Sequence, residues 1–328
     1  MTTALITGGT AGIGRAFADK FAALGYDLVL VARNQERLDA TAEELQGHDT
    51  KAATKPATSA AEDTEAGSGS ESNEHNETDK TNESSESSES DESSEEAPTA
   101  PAAPTVPPTA STVPTAPTPT STPPIRVETL SADLATPEGR LLVEERLAEK
   151  DRPIDILVNN AGFGLNHAFR DGSLDDEERM IDVHIRAVMR LTHAALPGMV
   201  LRGKGSVINV ASVAAFMPRG TYSAAKAWVV SFSETVAAEL HGTGVRCLAL
   251  CPGMTHTEFH DRADVDVAKI PEWMWLDPAD VVDTAIDDLR KGVTVSVPGT
   301  QYKLLLGASR LVPRRLSTKL SRNFSKRW

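Results

Sequence analysis

In the stretch "TYSAAKAW", Tyr222 and Lys226 stand four residues apart, separated by a serine and two alanines. On a helix, positions i and i+4 lie one above the other on the same face. An ammonium held beside a phenol favours the phenolate. A free phenol titrates near 10, so moving it to neutrality takes about three pH units, or roughly 4 kcal/mol. One ammonium at helix-neighbour distance in a partly dry cleft, together with a second nearby positive charge, is of the right order. A phenol tuned this way gives or takes a proton at a reacting oxygen. Ala224 and Ala225 keep the helix slim along the same face.

A second group of residues lies near the amino end. "TGGTAGIGRAF" places Thr7, Gly8, Gly12 and Gly14 in a T-G-x3-G-x-G pattern that also includes Thr10 and Ile13. Glycines let the backbone turn sharply and come close to a phosphate. The helix that follows points free N–H groups and its positive dipole end at the anion. The pattern follows a strand-like run and opens a helix, which is the context a dinucleotide site needs. It is not G-x-G-x-x-G, because Phe17 holds the third glycine place. An acid at the end of the second strand would hold the ribose hydroxyls of NAD. Ala32, Arg33 and Asn34 stand there instead. Arg33 suits a ribose 2′-phosphate, so NADP(H) is the expected cofactor, with NAD(H) as the alternative. The plainer reading of Arg33 is a solvated arginine at a helix start.

Both groups need a scaffold. Strand-like runs occur at 3–7, 27–32, 126–132, 155–161, 206–212, 245–251 and 293–298, and helix-period stretches at 13–24, 35–45, 137–149, 174–196, 222–240 and 278–289. Alternating strand and helix with continuous Val/Ile/Leu strands predicts a doubly wound parallel sheet with helices on both faces. Ligands in such sheets bind at the carboxyl ends of the strands.

The 328-residue chain carries a formal charge of −14, concentrated in one stretch. Residues 48–124 hold 15 acidic and 3 basic residues, first Glu/Ser-rich ("NESSESSESDESSEE") and then Pro/Thr-rich. That composition cannot bury a core, so a disordered insert is expected there. Residues 1–47 and 125–300 then form one dinucleotide-binding catalytic domain. The remainder is nearly balanced in charge, and no nucleic-acid binding is expected. Cys247 and Cys251 read as small buried hydrophobes, which suits a reducing, cytoplasmic compartment. No signal peptide and no membrane-span-length apolar run is apparent. His256 and His260 of "HTEFH" do not form H-E-x-x-H, and no metal site is expected.

Outside 48–124 the sequence resembles a classical short-chain dehydrogenase/reductase. The motifs that carry this are "TGGTAGIG", "NNAG" (159–162), Ser212, "YSAAK" (222–226) and "PGMTHT" (252–257), in the family's order. The resemblance implies a Rossmann-type fold, a nicotinamide cofactor and an oxidoreductase. It implies Tyr222 as general acid/base, with Lys226 lowering its pKa and bonding the nicotinamide ribose. Ser212 would orient the substrate oxygen. Asn159, Ala161 and Gly162 would shape the cofactor cleft, Asp133 would contact adenine, and Pro252, Gly253 and Thr257 would border the nicotinamide. A homo-oligomer acting on a small carbonyl or alcohol is expected. Two departures stand out. His184 takes the place of an asparagine that helps position a water behind the lysine, so it is a candidate catalytic residue or simply a packed helix histidine. Ser212 and Tyr222 are ten apart, closer than in many members.

The substrate side is apolar. Phe259, Ile270, Trp273, Met274, Trp275 and Leu276 lie where this family builds a lid. Phe163, Leu165 and Phe169 follow "NNAG", while Phe216 and Met217 follow Ser212. An acyl, aromatic or lipid-like carbonyl fits such a pocket, although apolar residues also fill cores and subunit contacts. From Lys303 onward there are eight basic residues and no acid, with apolar residues every four. That describes a cationic amphipathic tail over 301–328, suited to an anionic membrane surface or an acidic carrier protein, or else an ordinary docking helix. Two other functions compete: a dinucleotide-binding sensor without turnover, and a partner-binding protein acting through the acidic insert.

Overall fold

A computed structural model of the chain describes residues 2–52, 124–165, 167–217, 220–259 and 270–309. The expected disorder over most of 48–124, the amphipathic tail beyond 309 and His260 lie outside the described residues.

Seven strands form one parallel sheet: β1 (Thr3–Thr7), β2 (Asp27–Ala32), β3 (Val127–Ser131), β4 (Ile156–Asn159), β5 (Gly205–Val210), β6 (Val245–Leu250) and β7 (Val295–Ser296). Their order is β3-β2-β1-β4-β5-β6-β7. The winding reverses between β1 and β4, which pair in parallel with Leu5 opposite Leu157. In an open parallel sheet the ligand crevice lies at the carboxyl ends of the two strands where the order reverses.

Strand side chains alternate in direction, and the core divides accordingly. Ala4, Ile6, Leu28, Leu30, Val158 and Ile208 bury one face under α1 (Gly12–Ala23), α2 (Gln35–Ala52) and, counted by order along the chain, α7 (Pro278–Arg290). Leu5, Val29, Val31, Leu157 and Val207 bury the other under α3 (Pro137–Ala148), α5 (Val188–Arg202) and α6 (Gly220–Glu239). Both faces of each central strand are covered, which explains strands that are apolar throughout.

The structure redraws several boundaries. α2 continues to Ala52, into the stretch expected to be disordered. The predicted helix over 174–196 is α4 (Leu174–Ile181), a π-helical turn at Asp182–Ala187, and α5. α5 runs through Pro197 and stops at Gly203 in the left-handed conformation, φ 66°. Leu191, Ala195 and Met199 bury one side of α5, so packing outweighs the local breaker. β7 keeps only two residues. Past residue 300 the chain forms α8 (Thr300–Ser309), where the sequence places the start of the tail. Among the described residues no helix is long and apolar enough to cross a membrane.

Candidate active site

Tyr222 lies in the first turn of α6, and Lys226 one turn on, as the spacing predicts. α6 packs beside β5, so the Lys226 ammonium reaches the strand's last carbonyl: Nζ donates to Val210 O at 2.6 Å. Nζ lies 5.7 Å from the centre of the Tyr222 ring. After β5 the chain stays extended at Ser212, whose Oγ accepts from Ala214 N–H at 3.1 Å and caps a short turn, Val213–Phe216. The Ser212 hydroxyl is also close enough to Tyr222 to help lower its pKa. The ten-residue spacing thus does not separate the serine from the tyrosine.

The electrostatics correct one expectation. Burial pushes the Tyr222 phenol up to about 12, and the Ser212 hydroxyl offsets only part of this. Burial also draws Lys226 down from 10.5 to about 7, with partial opposition from Cys251. Lys226 is only 5% exposed, so removing its charge from water dominates. Among the chain's own residues, burial outweighs what lowers the phenol, so the proton is favoured on Tyr222. Spacing shows which groups meet but not how dry the meeting place is.

His184 belongs to the floor of the same site. It lies in the π-helical turn, 1% exposed, with its ring edge-on to Tyr222 at 5.5 Å and to Phe163 at 5.7 Å between ring centres. Its Nε2 is 3.0 Å from Phe163 N and 2.9 Å from Phe163 O, so either tautomer finds a backbone partner. Nδ1 is buried with no hydrogen-bond partner among the described residues. Burial and then the Lys226 charge hold the imidazole well below its usual 6.5, so it is neutral at pH 7. A side chain on Gly162 would meet its Cε1 at 2.6 Å, so the ring fills the space a larger residue would take.

The glycine loop forms as expected at the carboxyl end of β1. Gly8 (φ 68°) and Gly12 (φ 53°) hold left-handed conformations, and a Cβ on Gly14 would run into Gly8 O. Thr7 Oγ1 accepts from the N–H groups of Asn160 (2.9 Å) and Ala161 (3.0 Å), tying the end of β1 to the end of β4. Asn160 Nδ2 donates to Thr7 O at 3.0 Å and Gly8 O at 3.2 Å. Thr10 and Ile13 are half-buried in this loop. α1 starts at Gly12 with no side-chain cap from Ala11 and no acid in its first turn. These features fit a dinucleotide pyrophosphate: a close-approach loop and uncapped helix N–H groups free of competing negative charge.

Asn159 departs from the expected role. It is 4% exposed, and its amide donates to Asn209 Oδ1 (2.8 Å) and Thr192 Oγ1 (3.1 Å) in a buried network that continues to Ser233. Alternation along β4 turns Asn159 inward and leaves Asn160 against the glycine loop. Arg33 is exposed after β2 and close enough to Asp133 to help lower its pKa. That carboxylate accepts from Ala135 N–H at 3.0 Å and from Arg179 at 2.7 Å. Asp133 is therefore engaged with Arg179 on α4 as well as lying near the expected adenine side.

The segment after β6 covers this floor. Pro252 is buried, and Thr257 packs against Gly12. Phe259 lies 5.9 Å from Tyr222, ring centre to ring centre, so Phe163, His184, Tyr222 and Phe259 make a continuous aromatic wall. Phe169, Phe216, Met217 and Trp273 are exposed, whereas Leu276 packs on the core. Leu165 is half-buried, and Trp275 stacks on His256 at 4.6 Å. His256 also lies 3.3 Å from Glu272.

Tyr302 was not foreseen. It is 2% exposed; its hydroxyl accepts from Met254 N–H at 2.9 Å and donates to Met274 O at 2.6 Å. Its ring fills the place a Gly253 side chain would occupy. One residue of α8 thus ties Met254 to Met274. Glu177 was missed as well: 3% exposed, it accepts from Thr221 Oγ1 next to Tyr222. Only distant pairings reveal these roles, and the sole local signal was a lone tyrosine just past the last strand.

Comparisons with known proteins agree with this geometry. A family model described as short chain dehydrogenase matches residues 2–67 and 116–267. The chain is 29% identical over 260 residues to sulfoacetaldehyde reductase 2 of Chromohalobacter salexigens, covering 78% of this chain and 73% of that protein. It is 42% identical over 130 residues to an NADP-dependent 3-hydroxy acid dehydrogenase of Salmonella typhi, covering 37% of this chain and 52% of that protein. Among solved structures, it resembles a short-chain dehydrogenase from Sphingobium yanoikuyae in complex with NADPH, with TM-score 0.66, 28% identity and 94% of each chain covered. It also resembles a bulky-bulky ketone specific alcohol dehydrogenase from Comamonas testosteroni, with TM-score 0.63, 25% identity, and 95% of this chain and 92% of that one covered.

Proposed function

The chain belongs to the short-chain dehydrogenase family and is an NAD(P)-dependent oxidoreductase, and from that premise we propose that it is an NADP(H)-dependent reductase of apolar carbonyl compounds. The observation that carries this reading is the meeting of Tyr222 with Lys226 on one face of α6, beside the rings of His184 and Phe259.

When bound, the nicotinamide supplies the hydride. Ser212 and Tyr222 hydroxyls hold the substrate oxygen and place its carbon. Tyr222 donates its proton as negative charge develops on that oxygen, and in oxidation it takes the proton back. A phenol raised to about 12 is fully protonated at neutral pH, the form needed for donation. Lys226, bonded to Val210 O, places an ammonium or amine beside the phenol and at the ribose side of the cleft. His184 fixes the Phe163 backbone and the edge of the Tyr222 ring as a neutral spacer.

NADP(H) is supported by Arg33 after β2, by the NADPH held in the Sphingobium structure and by the NADP dependence in the Salmonella relative's name. Phe259, Phe163, Phe216 and Met217 support an apolar substrate, and the bulky ketones in the Comamonas enzyme's title agree with that size. Exposed Met189, Val200 and Leu201 on α5 support a contact between copies of the chain. The experiment is NADPH oxidation against a panel of aliphatic, aromatic and acyl carbonyls. Tyr222→Phe should lose turnover at least about a hundredfold with cofactor affinity nearly unchanged. Near-normal turnover in that variant removes the mechanism.

A further inference from the structure

Residues 257–259 touch three parts of the cleft in succession. Thr257 lies against Gly12 of the pyrophosphate loop. Phe259 lies against Tyr222. Between them, both Glu258 carboxylate oxygens accept from Arg37 Nη2, at 3.0 and 3.2 Å. Arg37 is in the first turn of α2, and its own N–H donates to Asn34 Oδ1 at 2.8 Å. Its backbone is therefore anchored to the turn that carries Arg33, and its guanidinium reaches Glu258, the neighbour of the Thr257 that lies against Gly12.

We propose that Arg37 is a second recognition residue for the ribose 2′-phosphate, and that Glu258 is an internal anion which this phosphate displaces from it. The inference rests on the NADP(H) reading above. A guanidinium presents the same fork of N–H donors to a carboxylate and to a phosphate. The Arg37 and Glu258 side chains are 45% and 50% exposed, and an ion pair this open to water is weak enough to exchange. The phosphate brings more negative charge than the carboxylate and arrives at the amino end of α2, where the helix dipole favours it. NAD(H) has a neutral hydroxyl at that position, so it gains nothing from the exchange. Displaced Glu258 remains near the phosphate and repels it, so the carboxylate lowers NADP(H) affinity in the unmutated chain. The pair also links cofactor choice to Phe259, which lies beside Tyr222.

The test is the ratio of NADPH to NADH affinity, by fluorescence titration of the full chain at low salt. Arg37→Gln should reduce the ratio by at least about tenfold, and Arg37→Lys should restore part of it. Glu258→Gln should raise the ratio by about three- to tenfold, an effect that shrinks as salt rises. Both side chains are half-exposed, so neither change threatens the fold. A ratio unmoved in Arg37→Gln overturns the recognition role, and one unmoved in Glu258→Gln overturns the internal anion. If the unmutated chain itself shows no preference for NADPH, the NADP(H) reading falls and this inference with it. A strong preference that survives in both variants defeats this inference alone.

Discussion

The floor and the mouth of the cleft are built in different ways. The floor is made of neighbours in the chain: Tyr222 and Lys226 share one turn of α6, and Ser212 follows the adjacent strand. The mouth is made of residues far apart in the chain: Arg37 bonds Glu258 across 221 positions, and Tyr302 bonds Met254 across 48. At the floor, burial dominates and shifts the titration of Tyr222 and Lys226. At the mouth, half-exposed charges and backbone hydrogen bonds hold the chain. A floor seated on the buried Lys226 and His184 suits proton transfer, where small displacements are costly. An exchangeable mouth suits binding and release.

The largest effect should come from the floor, at Lys226. Unfolded, its amine holds a proton up to its ordinary 10.5; folded, it releases it near 7. Between those values the unfolded chain binds more protons, so stability rises with pH. At and below pH 7 the burial costs roughly 5 kcal/mol, an order-of-magnitude figure. Lys226→Met removes that cost and loses the bond to Val210 O, worth about 1 kcal/mol. The variant should be inactive by at least about a hundredfold yet melt higher than the unmutated chain. The gain should be largest near pH 7 and shrink toward pH 10. A lower melting temperature at pH 7, or a difference that does not change with pH, means the floor is not as dry as its geometry indicates.

A smaller effect is expected at the mouth. Tyr302→Phe keeps the ring against Gly253 but leaves Met254 N–H and Met274 O without their partner. Buried unpaired groups cost about 1–3 kcal/mol. The tie between Met254 and Met274 should loosen, KM for a bulky carbonyl should rise several-fold, and turnover should fall far less than in Tyr222→Phe. If Tyr302→Phe abolishes turnover as completely as Tyr222→Phe does, the two regions are one catalytic unit and the contrast fails.

How far the sequence could be read follows the same division. The sheet, its helices, the glycine loop and the Tyr222–Lys226 pair are local patterns with fixed periods, and they stand where those periods place them. Asn159 was assigned to the cleft because its motif is, yet β4 alternation sends it to the buried network with Asn209. The size of the desolvation that raises Tyr222 is not legible from spacing, because it belongs to the folded whole. Tyr302, Glu177 and the Arg37–Glu258 pair have no local period at all. Each depends on which loop passes over which strand end.

The smallest effect is expected from the acidic stretch, a third region against which floor and mouth can both be measured. It is attached at Ala52, where α2 ends, and at Pro124, before β3. In a parallel sheet a helix-to-strand connection joins the amino ends of the strands, opposite the edge that carries Gly8, Ser212 and Tyr222. Nothing attached there needs to take part in proton transfer. The entropic cost of a long connection is also modest. Going from about five to about eighty residues is four doublings, or roughly 2.5 kcal/mol, so a short replacement should stabilise the chain slightly. Replacing residues 56–120 with a short Gly/Ser linker should therefore keep turnover and cofactor affinity within about twofold and raise the melting temperature by a few degrees. The measurement is steady-state turnover and cofactor titration beside the full chain, after circular dichroism and a cooperative melt show that the variant folds. A folded variant that has lost most of its turnover would mean that the acidic stretch acts at the opposite edge of the sheet. The floor and mouth would then not account for catalysis alone.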